Sequence, residues 1–273
     1  MNNKVQLMIF SYNRPLQLDL ALSSFFLNCQ DPKQTDVTVL YKATTIGYRN
    51  AYEAVKQDYP NATFLKENIF KDDLISLLED KTYVLFIVDD CIFTQKFSFL
   101  EAGGVLEYWT DDQIGFSFRL GENISHCYTV NKPQKSKNIL QRYGRVFVNW
   151  TEQELDFSYP LELSSSIYKV ENILYPIVMT MYYNSPNSLE AAMASYSRSL
   201  SRNYPMLQYF KQSLAFCSPL NKVQKIAPNN RCSGSAIFSP ENLLIEYEEG
   251  ARVDPKRFVG FVPSSPHQEV ELP

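Results

Sequence analysis

The sequence predicts one α/β domain with a doubly wound, mostly parallel sheet and flanking helices, a Rossmann-like arrangement. Two observations predict this class. Short apolar runs alternate with segments whose apolar residues recur at helical spacing through the first 90 residues. The run at 83–88, Tyr-Val-Leu-Phe-Ile-Val, is apolar throughout, which is typical of a strand covered on both faces of a parallel sheet. Strands that alternate with amphipathic helices favour a sheet with helices on its two faces.

The elements of the first 90 residues follow the order βαβαβαβ. Strands are predicted at 5–10, 37–41, 62–65 and 83–88, and helices after Pro15, at 48–59 and at 72–79. Proline is common in the first turn of a helix, so Pro15 predicts a helix start, and Ser11 or Asn13 could cap its free N–H groups.

The second half of the chain has a weaker pattern. We expect helices at 98–109, 171–181, 187–202 and 240–249, and strands at 114–119 and 145–150. Pro176 should bend or break the second of these helices, because proline removes a helical hydrogen bond. Three prolines after Phe261 indicate a surface tail at 261–273.

Composition and charge argue against several classes of protein. A net charge of -4 argues against a nucleic-acid partner, which would require a basic face. Five cysteines without a C-x-x-C spacing are typical of a reducing compartment. No window reaches the apolar length of a membrane span, about 18 residues. We therefore expect a cytoplasmic protein with no transmembrane segment, and peripheral membrane contact stays open.

Two adjacent carboxylates, Asp89 and Asp90, directly follow the apolar strand at 83–88. Like charges at the end of a buried strand are unfavourable unless something compensates them. In open α/β sheets ligands bind outside the carboxyl ends of the strands, so we expect a divalent cation, Mg2+ or Mn2+, at this pair. The alternative is a strand end that turns into solvent, with one Asp capping the next segment.

Several familiar catalytic motifs are missing. The sequence contains no G-x-x-x-x-G-K-[ST] motif, no G-x-G-x-x-G after the first strand and no G-x-S-x-G. With two histidines, His126 and His267, a histidine-rich metal site is ruled out. A parallel sheet, a polar loop after the first strand and an acidic pair after a later strand remain.

Three segments, in this order, resemble the GT-A glycosyltransferases, and above all the large inverting family of bacterial polysaccharide and lipooligosaccharide enzymes. They are residues 10–15 (Phe-Ser-Tyr-Asn-Arg-Pro), 48–51 (Tyr-Arg-Asn-Ala) and 86–90 (Phe-Ile-Val-Asp-Asp). The resemblance covers about the first 120 residues. It implies a GT-A-like fold in which residues 1–120 bind a nucleotide-sugar and residues 121–260 of the same domain bind the acceptor.

The resemblance also implies which residues bind the donor and the cation. The donor-binding residues would be Ser11, Tyr12, Asn13, Arg14, Thr44, Asn50 and Asp89. Asp90 would bind Mg2+ or Mn2+, and Asp89 would lie toward the ribose or assist at the metal. Arg14 could contact a phosphate or pair with a surface acid, and both readings stay open.

Two departures from the family pattern concern the donor. The third acidic position of the family motif is Cys91 here, and the acid often found after the second strand is replaced by Lys42, Ala43 and Thr44. These departures imply weaker nucleotide binding or a donor other than a UDP-sugar, which is otherwise the first expectation.

An inverting transferase needs a carboxylate that takes the proton of the acceptor hydroxyl. The candidates are Asp156, Glu162 and Glu190, and for each of them a solvated surface acid is the competing interpretation. Lys222, Lys225 and Arg231 could contact a diphosphate or an anionic acceptor, or form a solvated basic stretch.

The sequence thus predicts a metal-dependent glycosyltransferase that moves a sugar from a nucleotide-sugar to a hydroxyl of a glycan, lipid or protein, with inversion implied by the resemblance. Two alternatives stay open. One is a non-catalytic module that binds a sugar nucleotide or a partner, and the other is a nucleotidyltransferase.

Overall fold

A computed structural model describes residues 5–223 and 231–272. All the strands and helices predicted for the first 90 residues are present. In chain order these are β1 (Val5–Tyr12), α1 (Pro15–Asn28), β2 (Thr35–Lys42), α2 (Ile46–Asp58), β3 (Ala62–Lys66), α3 (Phe70–Leu78) and β4 (Tyr83–Val88).

The second part consists of shorter strands and three further helices. The strands are β5 (Cys91–Phe93), β6 (Gln113–Ser117), β7 (His126–Cys127), β8 (Lys132–Pro133), β9 (Leu140–Arg142), β10 (Arg145–Asn149), β11 (Ser165–Lys169), β12 (Met206–Phe210) and β13 (Ala215–Cys217). The helices are α4 (Tyr175–Thr180), α5 (Pro186–Leu200) and α6 (Pro240–Glu248). Pro176 lies in the first turn of α4, directly after a π-helical turn at Val170–Leu174, in agreement with the predicted break.

The central sheet of the described residues has the strand order β3-β2-β1-β4-β11-β6-β12-β10-β9. The first four strands are parallel, and β11 pairs antiparallel with both β4 and β6. Following the pairings across the sheet, β10 and β11 run opposite to the other strands. The prediction of a mostly parallel α/β sheet in a single domain is confirmed.

Strand β4 lies at the centre of the fold and is covered on both faces, as its apolar run predicts. Leu85 and Ile87 point into a core formed with α1, α2 and α6, whereas Val84 and Phe86 point into a core formed with α3, α4 and α5. All four side chains are fully buried. Alternating residues therefore attach the strand to both helical layers, and its carboxyl end is fixed in position.

The helix predicted at 98–109 is wrong, because long-range contacts fix this segment as turns. Asp31 accepts hydrogen bonds from the hydroxyl of Ser98 and from the backbone N–H groups of Phe99 and Leu100. Arg145 is fully buried and donates to the carbonyls of the same segment, including that of Val105 at 2.8 Å. Neither residue is near the segment in sequence, so local spacing could not show these contacts.

The start of α1 also differs from the prediction. Arg14 is the N-cap residue, and no side chain caps the helix. Asn13 instead bonds Thr44, and Ser11 bonds Asp89. The prediction that Ser11 or Asn13 caps the helix is therefore wrong, because both side chains are engaged with the ends of neighbouring strands.

Residues 261–272 are not the surface tail that the prolines indicate. The carbonyl of Ser264 accepts from the N–H groups of Ser125 and His126, and Cys217 exchanges backbone hydrogen bonds with Pro266 and Gln268. This segment packs beside β13 and places His267 near the carboxyl end of the sheet.

We predict that Asp31→Ala destabilises the fold by roughly 2–4 kcal/mol, because the N–H groups of Phe99 and Leu100 lose their buried acceptor. Chemical denaturation followed by circular dichroism measures the change. Asp58→Ala, which removes an exposed acid from the last position of α2, is the control. Equal stabilities of the two variants would contradict the role given to Asp31.

Candidate active site

A cleft of about 870 Å³ opens at the carboxyl ends of the parallel strands. The sheet order arranges its lining residues in a row. From one end to the other these are Glu67 after β3, Lys42 on β2, Ser11 and Tyr12 on β1, Asp89 and Asp90 after β4, Glu162 before β11 and Arg119 after β6. Glu190 and Asp156 line the same cleft. Neighbouring strands are about 4.8 Å apart, so the row from β3 to β11 extends for about 19 Å.

Asp89 is tightly held by its neighbours in this row. It is 4% exposed, and its carboxylate accepts hydrogen bonds from the hydroxyl of Ser11 at 2.9 Å and from the backbone N–H of Tyr12 at 3.1 Å. Its other oxygen lies 3.0 Å from the guanidinium of Arg14. Tyr52 extends the network, because its hydroxyl bonds Ser11 and accepts from the backbone N–H of Arg14. Asp89 thereby fixes the end of β1 against the end of β4.

Asp90 shares Arg14 with Asp89, through an ion pair of 3.3 Å to its Oδ2 atom. Burial, and to a lesser degree the neighbouring Asp89, raises the pKa of Asp90 to about 6, while Arg14 acts in the opposite direction. Its Oδ1 atom is buried and has no hydrogen-bond partner. One oxygen of Asp90 is therefore without a hydrogen-bond partner, and Asp90 is one of the residues that line the cleft.

Arg14 is the cation beside the acid pair in the structure. Its guanidinium contacts both carboxylates, and its far side donates to the side chain of Asn221 at 2.7 Å and to the carbonyl of Asn221 at 2.6 Å. Arg14 is 9% exposed. Arg14 pairs with the two acids of the candidate site and not with a surface acid, and contact with a phosphate stays a prediction.

Three of the predicted donor-binding residues lie outside the cleft lining. Asn13 and Thr44 are bonded to each other, with Asn13 donating at 2.8 Å and accepting from the backbone of Thr44 at 3.0 Å. Asn50 is exposed on α2. Contact with a donor stays a prediction for these three residues.

The three candidate acids, although distant in sequence, meet around Arg119. This arginine is almost fully buried after β6, where it pairs with Asp156 at 3.1 Å and with Glu162 at 3.6 Å. Glu162 and Arg119 both influence the pKa of Glu190, so Glu190 belongs to the same cluster. Asp156 and Glu162 are buried, and Glu190 is partly exposed at the cleft.

Glu162 and Asp156 are already saturated by protein partners. The carboxylate of Glu162, 1% exposed, accepts from the hydroxyl and N–H of Ser164 and from the N–H of Ser165. Asp156 accepts from Arg119 and from Gln134. Burial alone would raise the pKa of Asp156, but Arg119 and the hydrogen bond from Gln134 outweigh it and lower the pKa below its usual range. Asp156 is therefore a weak proton acceptor, and the carboxylate oxygens of Glu162 are occupied by protein donors.

Glu190 differs from the other two acids. Burial, followed by the negative charge of Glu162, raises the pKa of Glu190 to about 7, while Arg119 and a hydrogen bond with Tyr159 limit the rise. A catalytic base works best when its pKa is close to the working pH. Glu190 is therefore the best-suited proton acceptor of the cluster.

Comparisons with known proteins agree with this architecture. No family model matches the sequence. The bifunctional glycosyltransferase pgtA of Dictyostelium discoideum is 29% identical, over 69% of this chain and 28% of pgtA, so the chain spans little more than a quarter of that relative. The crystal structure of S. aureus TarS 1–349 in complex with UDP has 13% identity and a TM-score of 0.52, over 83% of this chain and 68% of TarS 1–349. The chain has the GT-A fold.

A third protein is more distant. The mannosyltransferase PcManGT from Pyrobaculum calidifontis, solved in complex with GDP-Man and Mn2+, matches 74% of this chain and 53% of its own with 13% identity. Its TM-score is 0.43. The resemblance of the sequence to GT-A glycosyltransferases is confirmed.

A cation in this GT-A fold would find one carboxylate oxygen without a hydrogen-bond partner, because Oδ2 of Asp90 is paired with Arg14. The oxygens of Asp89 are engaged, whereas Asp90 Oδ1 has no partner. Within residues 5–223 and 231–272, no group of three or more His, Cys, Asp or Glu side chains is arranged to hold a metal ion. Mg2+ in nucleotide sites is usually held by one or two carboxylates and by phosphate oxygens. The residues fit a cation shared with a diphosphate and do not fit an all-protein metal site.

Sequence reasoning missed several residues of the cleft. Arg119 ends a predicted strand, so its position at a strand end is the same sequence signal that marks Asp89. Glu67 follows β3 in the same way. His267 and Asn221 lie in irregular segments far along the chain, and no sequence pattern indicates that they join the cleft. Lys222 and Arg231 line the cleft as well, whereas Lys225 lies outside the described residues.

The sequence predicts no transmembrane segment and leaves peripheral membrane contact open. In the part of the chain that the structure describes, the helices are all too short or too polar to cross a bilayer.

The raised pKa of Glu190 predicts a pH-dependent cost in stability. Because the folded state holds the proton more tightly than the unfolded state, stability falls as the pH rises from about 4.5 to about 7. Glu190→Gln should remove this loss, so the variant should be more stable than the wild type at pH 8, on the order of 1–3 kcal/mol, and much less so at pH 4.5.

Melting temperatures of both proteins at pH 4.5 and pH 8 test this prediction, with Glu154→Gln as the control because Glu154 is an exposed acid paired with Lys137. A change that is the same at both pH values would show that Glu190 titrates as an ordinary carboxyl group.

Proposed function

We propose that this chain is a metal-dependent glycosyltransferase that moves a sugar from a nucleotide-sugar donor to a hydroxyl of a glycan, lipid or protein, with inversion. The observation that carries the proposal is a single cleft with two chemically different regions. One part holds an arginine and two acids after β4, and the other holds the raised-pKa carboxyl of Glu190.

The comparisons support the class of reaction. The relative with 29% identity is named a bifunctional glycosyltransferase, and TarS was solved with UDP. Since the chain spans 28% of that relative, the activity assigned here is our inference for this chain. A cytoplasmic location also stays a prediction, and the free thiols of all five cysteines are compatible with it.

A nucleotide-sugar is linear, so its orientation in the cleft follows from its reacting end. The sugar must lie near the base, which is Glu190 in this proposal. The diphosphate then lies over Asp90 and Arg14, and the nucleoside extends along Ser11 and Tyr12 toward Lys42 and Glu67. Polar groups at the end of β1 would meet the ribose, and the buried side chain of Phe10 would form part of the floor below it.

The divalent cation would bind Asp90 and the donor diphosphate. When bound, it supplies positive charge that stabilises the departing diphosphate. Arg14 adds a fixed positive charge in the same place, because Asp89 and Asn221 orient its guanidinium. A pre-oriented charge needs no rearrangement when charge develops on the leaving group.

Glu190 would take the proton of the acceptor hydroxyl. The acceptor oxygen forms a bond to the anomeric carbon while the bond from that carbon to the diphosphate oxygen breaks, and the diphosphate leaves with the bonding electrons. Attack from the side opposite the leaving group inverts the anomeric carbon. Asp156 and Glu162 act indirectly, because they hold Arg119 beside Glu190 and so limit the pKa of the base.

The first test measures thermal stabilisation by UDP, GDP, CDP and dTDP with Mn2+, and then with EDTA. Ligand at 100 times its Kd adds about 2.7 kcal/mol to the stability of the native state. We expect stabilisation that falls in EDTA, and Asp90→Asn should lose the metal-dependent part. Asp111→Asn, an exposed acid outside the cleft lining, is the matched control.

Equal stabilisation with Mn2+ and with EDTA would remove the cation from the proposal. Absence of stabilisation by any nucleotide would overturn the proposed function and favour a non-catalytic partner-binding module.

The second test concerns the base. Glu190→Gln should lower the rate of sugar transfer or donor hydrolysis by about 10²–10⁴-fold while nucleotide binding stays unchanged. In the wild type the rate should rise with pH through about 7, because the base must be deprotonated, and the variant should lack this rise. Released nucleoside diphosphate measures the rate. If Asp156→Asn loses the pH dependence and Glu190→Gln keeps it, the base is Asp156.

A further inference from the structure

An ion pair closes the nucleoside end of the cleft. Lys42 ends β2 and Glu67 directly follows β3, and the Nζ atom of Lys42 lies 3.1 Å from Oε1 of Glu67. The side chain of Glu67 is 15% exposed, and the backbone N–H of Glu67 donates to the carbonyl of Tyr41 at 2.8 Å. The side chain of Lys42 is 54% exposed. A fixed carboxylate and a movable ammonium therefore lie side by side in the cleft.

Stability does not explain this pair. Partly exposed ion pairs contribute little to folding, and the lysine is too exposed to be an exception. Both residues line the cleft, and Lys42 and Glu67 are two and three strand positions, respectively, from the acids after β4. An acid is missing after β2, where the family resemblance implies one near the base and ribose. Glu67 supplies a carboxylate from the next strand.

The chemistry of the pair selects one kind of nucleobase edge. A carboxylate accepts hydrogen bonds and cannot donate, whereas an ammonium donates and cannot accept. Guanine presents two adjacent N–H donors, N1–H and N2–H2, next to the acceptor O6. Uracil places its one N–H between two carbonyl oxygens, so one of them would face the carboxylate. Adenine and cytosine each offer one amino donor and no second N–H beside it.

The remaining surface at this end suits a flat ring. Phe10 and Leu40 are buried at the ends of β1 and β2 and still line the cleft, so they form an apolar floor next to the ion pair. An aromatic base that lies on this floor presents its edge, and not its face, to the groups after β2 and β3.

We propose that Lys42 and Glu67 recognise the edge of guanine, and that the donor is therefore a GDP-sugar. Glu67 accepts from N1–H and N2–H2, and Lys42 donates to O6. The proposal rests on the proposed function, because it requires the nucleoside to occupy this end of the cleft. It replaces the first expectation of a UDP-sugar with a donor that the ion pair matches.

The test compares the Kd values of GDP, IDP, XDP and UDP, measured by titration calorimetry in Mn2+ buffer, for wild type and Glu67→Gln. IDP lacks the N2 amino group, and XDP carries a carbonyl oxygen in its place. Wild type should bind GDP about 5- to 150-fold more tightly than IDP, UDP or XDP, since a good bidentate contact is worth about 1–3 kcal/mol of discrimination.

Glu67→Gln should reverse the order of GDP and XDP. The glutamine carbonyl can accept from N1–H, and its amide N–H can donate to the new carbonyl of xanthine. A gain of XDP affinity cannot arise from misfolding. Glu53→Gln, an exposed acid on α2 paired with Lys56, is the control and should keep the wild-type order.

Each outcome has one meaning. GDP preference in the wild type and XDP preference in Glu67→Gln support the proposal. Tighter binding of UDP by the wild type, or an unchanged order in Glu67→Gln, would overturn the guanine assignment and leave the proposed function in place. Absence of binding by all four diphosphates would overturn the proposed function itself.

Discussion

The guanidinium of Arg14 between Asp89 and Asp90 is the interaction on which the cleft depends. Two neighbouring carboxylates at the end of a buried strand repel each other and lose most of their hydration, and a single cation in contact with both offsets these costs. Without the guanidinium of Arg14, the charges of Asp89 and Asp90 would be uncompensated. Arg14 therefore makes it possible for β4 to end in two adjacent carboxylates. The same side chain reaches Asn221, which ties β1, β4 and the segment after β13 together.

The position of Arg14 follows from very local features. Pro15 begins α1 immediately after it, so the arginine lies at the corner between the strand and the helix. There its backbone N–H bonds Tyr52, whose hydroxyl also meets Ser11, and Ser11 donates to Asp89. The short polar turn between β1 and α1 thus places hydrogen-bond donors, those of Ser11 and Arg14, around the carboxylate of Asp89. The cleft floor is ordered by the protein before any ligand contributes to it.

The parts of the fold that depend on local periodicity could be predicted from the sequence, and the parts that depend on distant side chains could not. The strand at 83–88 and the helices after Pro15 and at 48–59 follow from apolar spacing, because each packs one or both faces into a continuous core. The segment at 98–109 has helical spacing, yet Asp31 and Arg145 hold it in turns. The packing of residues 261–272 beside β13 is equally invisible to a local pattern.

The candidate site shows the same division. Asp89 and Asp90 are conspicuous in the sequence because two charges follow an apolar run. The three acids gathered around Arg119 come from segments without a shared motif, and their different environments could not be inferred from residue type. Sequence reasoning could name Asp156, Glu162 and Glu190, but only burial and hydrogen bonding distinguish the saturated carboxylates from the one with a raised pKa.

The order of strands along the edge of the sheet separates the residues proposed to bind the nucleobase from those proposed to act on the acceptor. About 19 Å, or four strand spacings, lie between the end of β3 and the start of β11. Residues farther apart than about 7–10 Å without shared partners usually contribute additively when they are substituted. Changes at the ends of β2 and β3 can therefore accumulate without disturbing the acids around Arg119. Recognition of the nucleobase and deprotonation of the acceptor hydroxyl could therefore evolve, or be engineered, as independent properties of one domain.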